Sequence, residues 1–280
     1  MKYTKHLLLG GIFATFLGIF LYKQNNDIEV STHEFYHEKI PKDFDNYKIL
    51  QISDLHSKNF GRHNKKLLDI IDALSPNIIV VTGDIYYSYK DKIKHSLALL
   101  KKLAKKYPVY FVTGNHEQRD KNWKMHKLNL KTYGVNIIDE KTVRLKFNSA
   151  QIQLAGLKDP SFYHYQHRYK IFPKKIKTLY AKLDKNLFNV LLSHRPDKME
   201  HYAQSGFDLV LSGHAHGGQI RLFNKGLIAP SEGFFPKFTS GLYKQNQTSM
   251  IVSRGLGRTI FFTRLFNKPE LILVKLKNCK

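Results

Sequence analysis

Five times between Tyr47 and His216, a short apolar and β-branched run breaks off into Asp, Asn or His. The runs are KILQIS before Asp54-Leu55-His56, NIIVV before Thr82-Gly83-Asp84, and VYFV before Thr113-Gly114-Asn115-His116-Glu117. NVLL precedes Ser193-His194, and DLVL precedes Ser212-Gly213-His214-Ala215-His216. Continuous rather than alternating apolar runs describe strands buried on both faces. Helical stripes fill the intervals. In residues 91–107, Ile93, Leu97, Leu100, Ala104 and Tyr107 form one stripe, and six lysines from Lys92 to Lys106 lie largely off it. Segments 64–74 and 174–183 read the same way. The expectation is an α/β fold with a sheet held between helices. Such sheets bind ligands outside the C-terminal ends of their strands. Five endings of this kind therefore deliver their polar side chains to one edge, with Gly83, Gly114 and Gly213 permitting the sharp turns.

The side chains delivered are Asp54, His56, Asp84, Asn115, His194, His214 and His216. The single Cys279 excludes thiolate ligation and an internal disulfide framework. Seven oxygen and nitrogen donors exceed what one tetrahedral ion takes, but they suit two ions of higher coordination that share a carboxylate. Asp84, on a strand expected to be central, is the natural shared group. Two divalent ions against two carboxylates leave a net positive site, suited to a phosphoryl anion. Alone, an Asp-x-His pair, a buried histidine or a Gly-Asp turn would say little. Five such endings in one chain are not coincidence. Four histidines favour Mn, Fe, Co or Zn over a Mg- or Ca-only site.

These blocks resemble those of the calcineurin-like metallophosphoesterases in order and spacing, over roughly residues 47–276. Gly217-Gly218-Gln219-Ile220-Arg221, Ser240-Gly241-Leu242-Tyr243 and Ser253-Arg254-Gly255-Leu256-Gly257 resemble the bacterial branch that carries an N-terminal anchor or export signal. The resemblance implies a four-layer α/β/β/α sandwich and phosphoester hydrolysis at a dinuclear centre that activates water for attack on phosphorus. It further implies that Asp54, His56 and His216 hold one metal, that Asn115, His194 and His214 hold the second, and that Asp84 bridges. His116 matches the family's catalytic histidine beside the leaving group, with Glu117 or a neighbouring carboxylate as its orienting partner. The chain departs from many relatives at Tyr87, where they carry an acidic residue. Arg62 and Arg254 are candidates for phosphate clamps, with surface roles equally open to them.

Before these blocks, Lys2, Lys5 and His6 precede an uncharged apolar run from Leu7 to Tyr22, closed by Lys23. Sixteen helical residues span about 24 Å, slightly short of a ~30 Å hydrocarbon core. The basic flank and short apolar run also fit a cleaved signal peptide, but no small-x-small cleavage site follows, so residues 1–23 read as an uncleaved signal anchor with an extracytoplasmic catalytic domain. Residues 24–45, polar and carrying Pro41, read as a linker with room for an edge strand. Residues 46–280 read as the catalytic domain. The net charge of +24 favours polyanionic partners. With an anchor, the expected substrate is a phosphoester near the membrane, such as a phospholipid or a nucleotide-linked lipid like UDP-diacylglucosamine. The aromatic segments 162–169 and 234–238 are compatible with an amphiphile, though packing explains such residues equally well. A nuclease using the same site is the alternative enzyme, disfavoured by the anchor and the lack of a nucleic-acid module. A non-catalytic phosphate-binding scaffold is disfavoured by the complete donor set.

Overall fold

The computed structural model describes residues 2–87, 93–230, 232–258 and 263–279. Asp91 and Lys92, included in the helical segment above, lie outside them. In chain order the first half comprises α1 (Lys2–Asn26), β1 (Glu29–His37), β2 (Lys48–Ile52), α2 (Lys65–Leu74), β3 (Ile78–Thr82), α3 (Ile93–Ala104), β4 (Val109–Val112), α4 (Asn115–Arg119), α5 (Trp123–Thr132) and β5 (Val135–Ile137). The second half begins with β6 (Lys141–Phe147), β7 (Ala150–Gly156), α6 (Arg168–Tyr180), β8 (Asn189–Leu192), α7 (Met199–Ser205) and β9 (Leu209–Ser212). Two short hairpins follow, β10 (Arg221–Leu222) with β11 (Lys225–Gly226) and β12 (Ile228–Ala229) with β13 (Gly233–Phe234). Then come β14 (Gly241–Gln245), β15 (Thr248–Val252) and β16 (Glu270–Asn278).

The long strands form two mixed six-stranded sheets, ordered β1-β16-β2-β3-β4-β5 and β14-β15-β9-β8-β7-β6. Alternation along the apolar runs explains the layering. Ile78 and Val80 join a core between the sheets, which also takes Val190, Leu192, Leu209 and Leu211 from the second sheet. Ile79 and Val81, one position on, pack outward against Leu67, Ile71, Leu97 and Leu100 of α2 and α3. Leu191 and Val210 pack outward on the opposite side, against Phe172, Ile176 and Tyr202 of α6 and α7. The order is helix, sheet, sheet, helix, and each run is continuous because both of its faces are covered.

Two helix expectations shift at their boundaries. α3 ends at Ala104, so Tyr107 of the expected stripe lies beyond it, and the buried face takes in Leu99 and Leu103 as well. The helix expected over 174–183 is α6, which begins earlier, at Arg168, and holds Pro173 inside it.

The membrane expectation is corrected. Among the described residues, no helix is long and apolar enough to cross a membrane. The apolar run of α1 is only sixteen residues, diluted by Gly10, Gly11, Thr15 and Gly18, and α1 continues into Lys23, Gln24, Asn25 and Asn26. The single N-terminal span and the localisation drawn from it therefore fall. The last turns of α1 instead engage the chain's C-terminal loop. Asn25 exchanges hydrogen bonds with the backbone of Arg264, Gln24 Oε1 accepts from Asn267 N at 3.3 Å, and Phe20 lies 5.7 Å from Phe266, centroid to centroid.

Candidate metal centre

The turns that follow β2, β3 and β4 carry Asp54, Asp84 and Asn115, whereas those that follow β8 and β9 of the facing sheet carry His194 and His214. The two sheets are tied where these ends meet. Gln51 Nε2 donates to Thr82 Oγ1 and to the Ser212 carbonyl, both at 2.9 Å. The site therefore straddles the seam between the sheets, and it draws donors from both. Its turns are strained. Asp54, His56, Asp84, His214 and His216 all have positive φ, between 49° and 66°, a region that costs a non-glycine residue roughly 1–3 kcal/mol. Gly83, at φ +89°, has no room for a side chain, since a Cβ would lie 2.6 Å from Gly114 N and 2.8 Å from His194 Nδ1.

All seven donor residues are buried, and the structure brings all of them together. Each carboxylate has one oxygen fixed by backbone and the other turned to histidines. Asp54 Oδ2 accepts from Ser53 Oγ and from His214 N, which leaves Oδ1 3.4 Å from His216 Nε2 and 3.9 Å from His56 Nε2. Asp84 Oδ1 accepts from His116 N at 2.7 Å, which leaves Oδ2 3.3 Å from His194 Nε2 and 3.9 Å from His56 Nε2. The histidines are oriented in the same way. His194 Nδ1 meets the Thr82 carbonyl at 2.7 Å, so Nε2 faces His214 Nδ1 at 3.1 Å and Asn115 Oδ1 at 3.3 Å. His56 and His216 stack, with their Nε2 atoms 3.0 Å apart.

The donor set fits metal ions. Asp54 Oδ1 is buried with no hydrogen-bond partner among the described residues, and such an orphan is costly unless something else satisfies it. Two imidazole nitrogens 3.0 Å apart can share at most one proton, whereas both lone pairs can face a cation. Asp54, His56 and His216 form one group of converging donors; Asp84, His194 and His214 form another. His56, Asp84 and His116 form a third, which overlaps both.

The electrostatics follow from burial and charge. Burial alone would lower the His194 imidazole, but the Asp84 carboxylate reverses this and pushes it up to about 10. Burial opposes ionisation of Asp84, yet His194 holds it well below the usual carboxylate range. Burial brings His56 down to about 3 and holds His214 and His216 well below the ordinary value. In protein stripped of metal by chelation, His194 is therefore cationic at neutral pH, and ligation through its nitrogen must expel that proton. Calorimetric titration of stripped protein with Mn²⁺ at pH 8 should release about one proton per chain, seen as a heat that changes with the buffer's ionisation enthalpy. A buffer-independent heat would contradict the His194–Asp84 assignment.

His116 sits on α4, directly after Asn115. Its ring lies 4.5 Å from that of Tyr87 and 4.8 Å from that of His56. Tyr87 thus forms an aromatic wall over two histidines. Glu117 does not orient His116. Its carboxylate accepts from the backbone N–H groups of Asp84, Ile85 and Gly114, at 2.7–3.0 Å, and so clamps two of the turns together. The clamp expectations also change. Arg254 Nη2 is paired with Glu270 at 2.9 Å and Glu29 at 3.0 Å, and Arg62 is exposed beside a surface hollow with Asp69 and Asp72. Two arginines matter that the sequence reading passed over. Arg195 Nη1 lies 2.7 Å from His214 Nε2, and its Nε donates to Asp159 at 2.8 Å. Arg264, fully buried, donates to carbonyls of Arg254, Gly255, Gly257 and Asn267. It shapes the loop that packs on Asp54, where Gly257 N donates to the Asp54 carbonyl at 2.6 Å. Arg195 directly follows a donor histidine, which was a usable signal; nothing in the sequence marks Arg264.

The sequence model of the family Calcineurin-like phosphoesterase matches residues 47–218. Among curated proteins, an uncharacterized metallophosphoesterase of Bacillus subtilis, YkuE, is 31% identical over 264 residues, 92% of this chain and 88% of that protein. Phosphodiesterase YaeI of Escherichia coli is 27% identical over 241 residues, 82% of each chain. Among solved structures, a dimetal phosphatase from Danio rerio superposes with a TM-score of 0.52 at 12% identity, covering 76% of this chain and 88% of that one. That likeness concerns the fold.

Proposed function

The chain belongs to the calcineurin-like phosphoesterase family, and from that premise we propose that its seven donors hold two ions around Asp84 and hydrolyse phosphodiesters there. The chain is a hydrolase of phosphoester bonds, and calcineurin-like phosphoesterases use two divalent metals. Asp54, His56 and His216 would hold one ion, Asn115, His194 and His214 would hold the other, and Asp84 would serve both. The donor chemistry favours Mn, Fe or Zn. The observation that carries the reading is the position of Asp84 Oδ2, 3.3 Å from a nitrogen of one donor group and 3.9 Å from a nitrogen of the other. When bound, the ions supply an activated water near neutral pH and offset charge on the phosphoryl oxygens.

The chain's own residues complete the site. His116 donates a proton to the leaving oxygen from a ring packed against both Tyr87 and His56. Burial lowers this imidazole, with Asp84 opposing. A lowered imidazolium is a stronger acid but a scarcer one at neutral pH, so the assistance should weaken as pH rises. Arg195, anchored by Asp159, keeps a cation beside His214 and adds to the pull on an anionic substrate.

The test is turnover by metal-reconstituted protein across a monoester, a diester, a nucleotide diphosphate-lipid and single-stranded DNA. Metal-dependent hydrolysis of the diester, lost on chelation, is the expected result. A chain with two ions bound and no turnover of any of the four would contradict the proposal. Turnover of DNA alone would make it a nuclease.

A further inference from the structure

Next to the donor cluster lies a cavity of about 300 Å³ with Arg195 in its wall. The same guanidinium reaches His214, so the cavity and the metal donors are neighbours across one side chain. The first turns of α6 supply a second wall, Arg168, Tyr169 and Phe172, and Lys198 supplies a third. Three cations face one carboxylate, Asp197, which Lys198 meets at 2.6 Å. Arg195 is balanced by Asp159 from outside the lining. Among the described residues, Arg168 has no carboxylate partner. Its guanidinium instead stacks over Tyr165 at 4.4 Å and Tyr169 at 5.0 Å, which holds the planar fork in place. The positive end of the thirteen-residue α6 lies on the same wall. A preset guanidinium at a helix start, with a lysine opposite and aromatic rings between, is suited to a phosphate or carboxylate on an apolar carrier.

We infer that this cavity receives a second anionic group of the substrate, carried beyond the phosphorus being cleaved. The inference rests on the proposed hydrolysis and narrows its substrate class to phosphoesters with a further phosphate or carboxylate. Arg195 then stands between the two subsites and faces both anions.

Calorimetry on the full chain with thymidine 3′,5′-bisphosphate and thymidine 5′-monophosphate tests it, because the probes differ by one phosphate. The bisphosphate should bind about tenfold tighter, the effect of one or two charge-assisted hydrogen bonds. The double variant R168A/K198A should bring the two affinities within about twofold, and R168K, which keeps charge without the fork, should recover part of the difference. Equal affinities in the unaltered chain, or equal weakening of both probes in the double variant, would overturn the inference. Turnover of the matching 5′-nitrophenyl esters, measured in parallel, separates the two claims. A binding difference without turnover counts against hydrolysis and leaves the subsite standing.

Discussion

Asp84→Asn should abolish turnover, lowering kcat/KM by about 10³-fold or more, in a chain that still folds. The expectation rests on how little else the substitution changes. Asn keeps the shape of the side chain and tolerates the φ of +52° at this position. Its carbonyl oxygen can still accept from His116 N, as Asp84 Oδ1 does at 2.7 Å. What disappears is the charge that lies between His56 and His194 and keeps the His194 proton in place. The measurements are kcat/KM on bis(p-nitrophenyl) phosphate with Mn²⁺ in excess, metal content per chain, and the unfolding midpoint. Activity within about tenfold of the parent at full metal occupancy would remove Asp84 from the shared position.

The second large effect belongs to His116. His116→Ala should slow hydrolysis of an alkyl phosphoester by about 10²–10⁴-fold, the usual value of general-acid assistance, while slowing a nitrophenyl ester far less. An alkoxide is a poor leaving group and needs the proton; nitrophenolate leaves largely unaided. The ring packs on His56 and belongs to a group of converging donors with His56 and Asp84, so the variant must also be assayed for metal. The decisive quantity is the ratio of the two losses in kcat/KM at one pH. Equal losses would assign His116 to binding or orientation, and lost metal would place it among the ligands.

The donors were legible in the sequence because two constraints coincide in them. A strand covered on both faces must be apolar along its length, so its end is sharp, and a metal donor must stand at that end. Ile78 to Thr82 followed by Gly83-Asp84 shows both at once. What escaped the sequence depends on pairings between distant residues. Glu29 lies beside Glu270 in the β1–β16 pair, and a polar stretch like that of β1 carries no mark of its partner. Arg195 and Asp159 are 36 residues apart and become a unit only when the loops after β7 and β8 meet at the site. Glu117 looked like a partner for its neighbour His116 because adjacency is all a sequence offers. Three backbone N–H groups claim it instead. The apolar run of α1 misled for a related reason: composition was read over sixteen residues, while a span is decided by the whole helix and its polar continuation.

The central claim is that two ions sit on either side of Asp84. Crystals of the full chain grown with Mn²⁺ and measured near the manganese absorption edge would settle it. Two anomalous peaks about 3.5–4 Å apart should appear, one among Asp54, His56 and His216 and the other among Asn115, His194 and His214, with Asp84 Oδ2 between them. A single peak, or two peaks that leave Asp84 touching only one, would contradict the account.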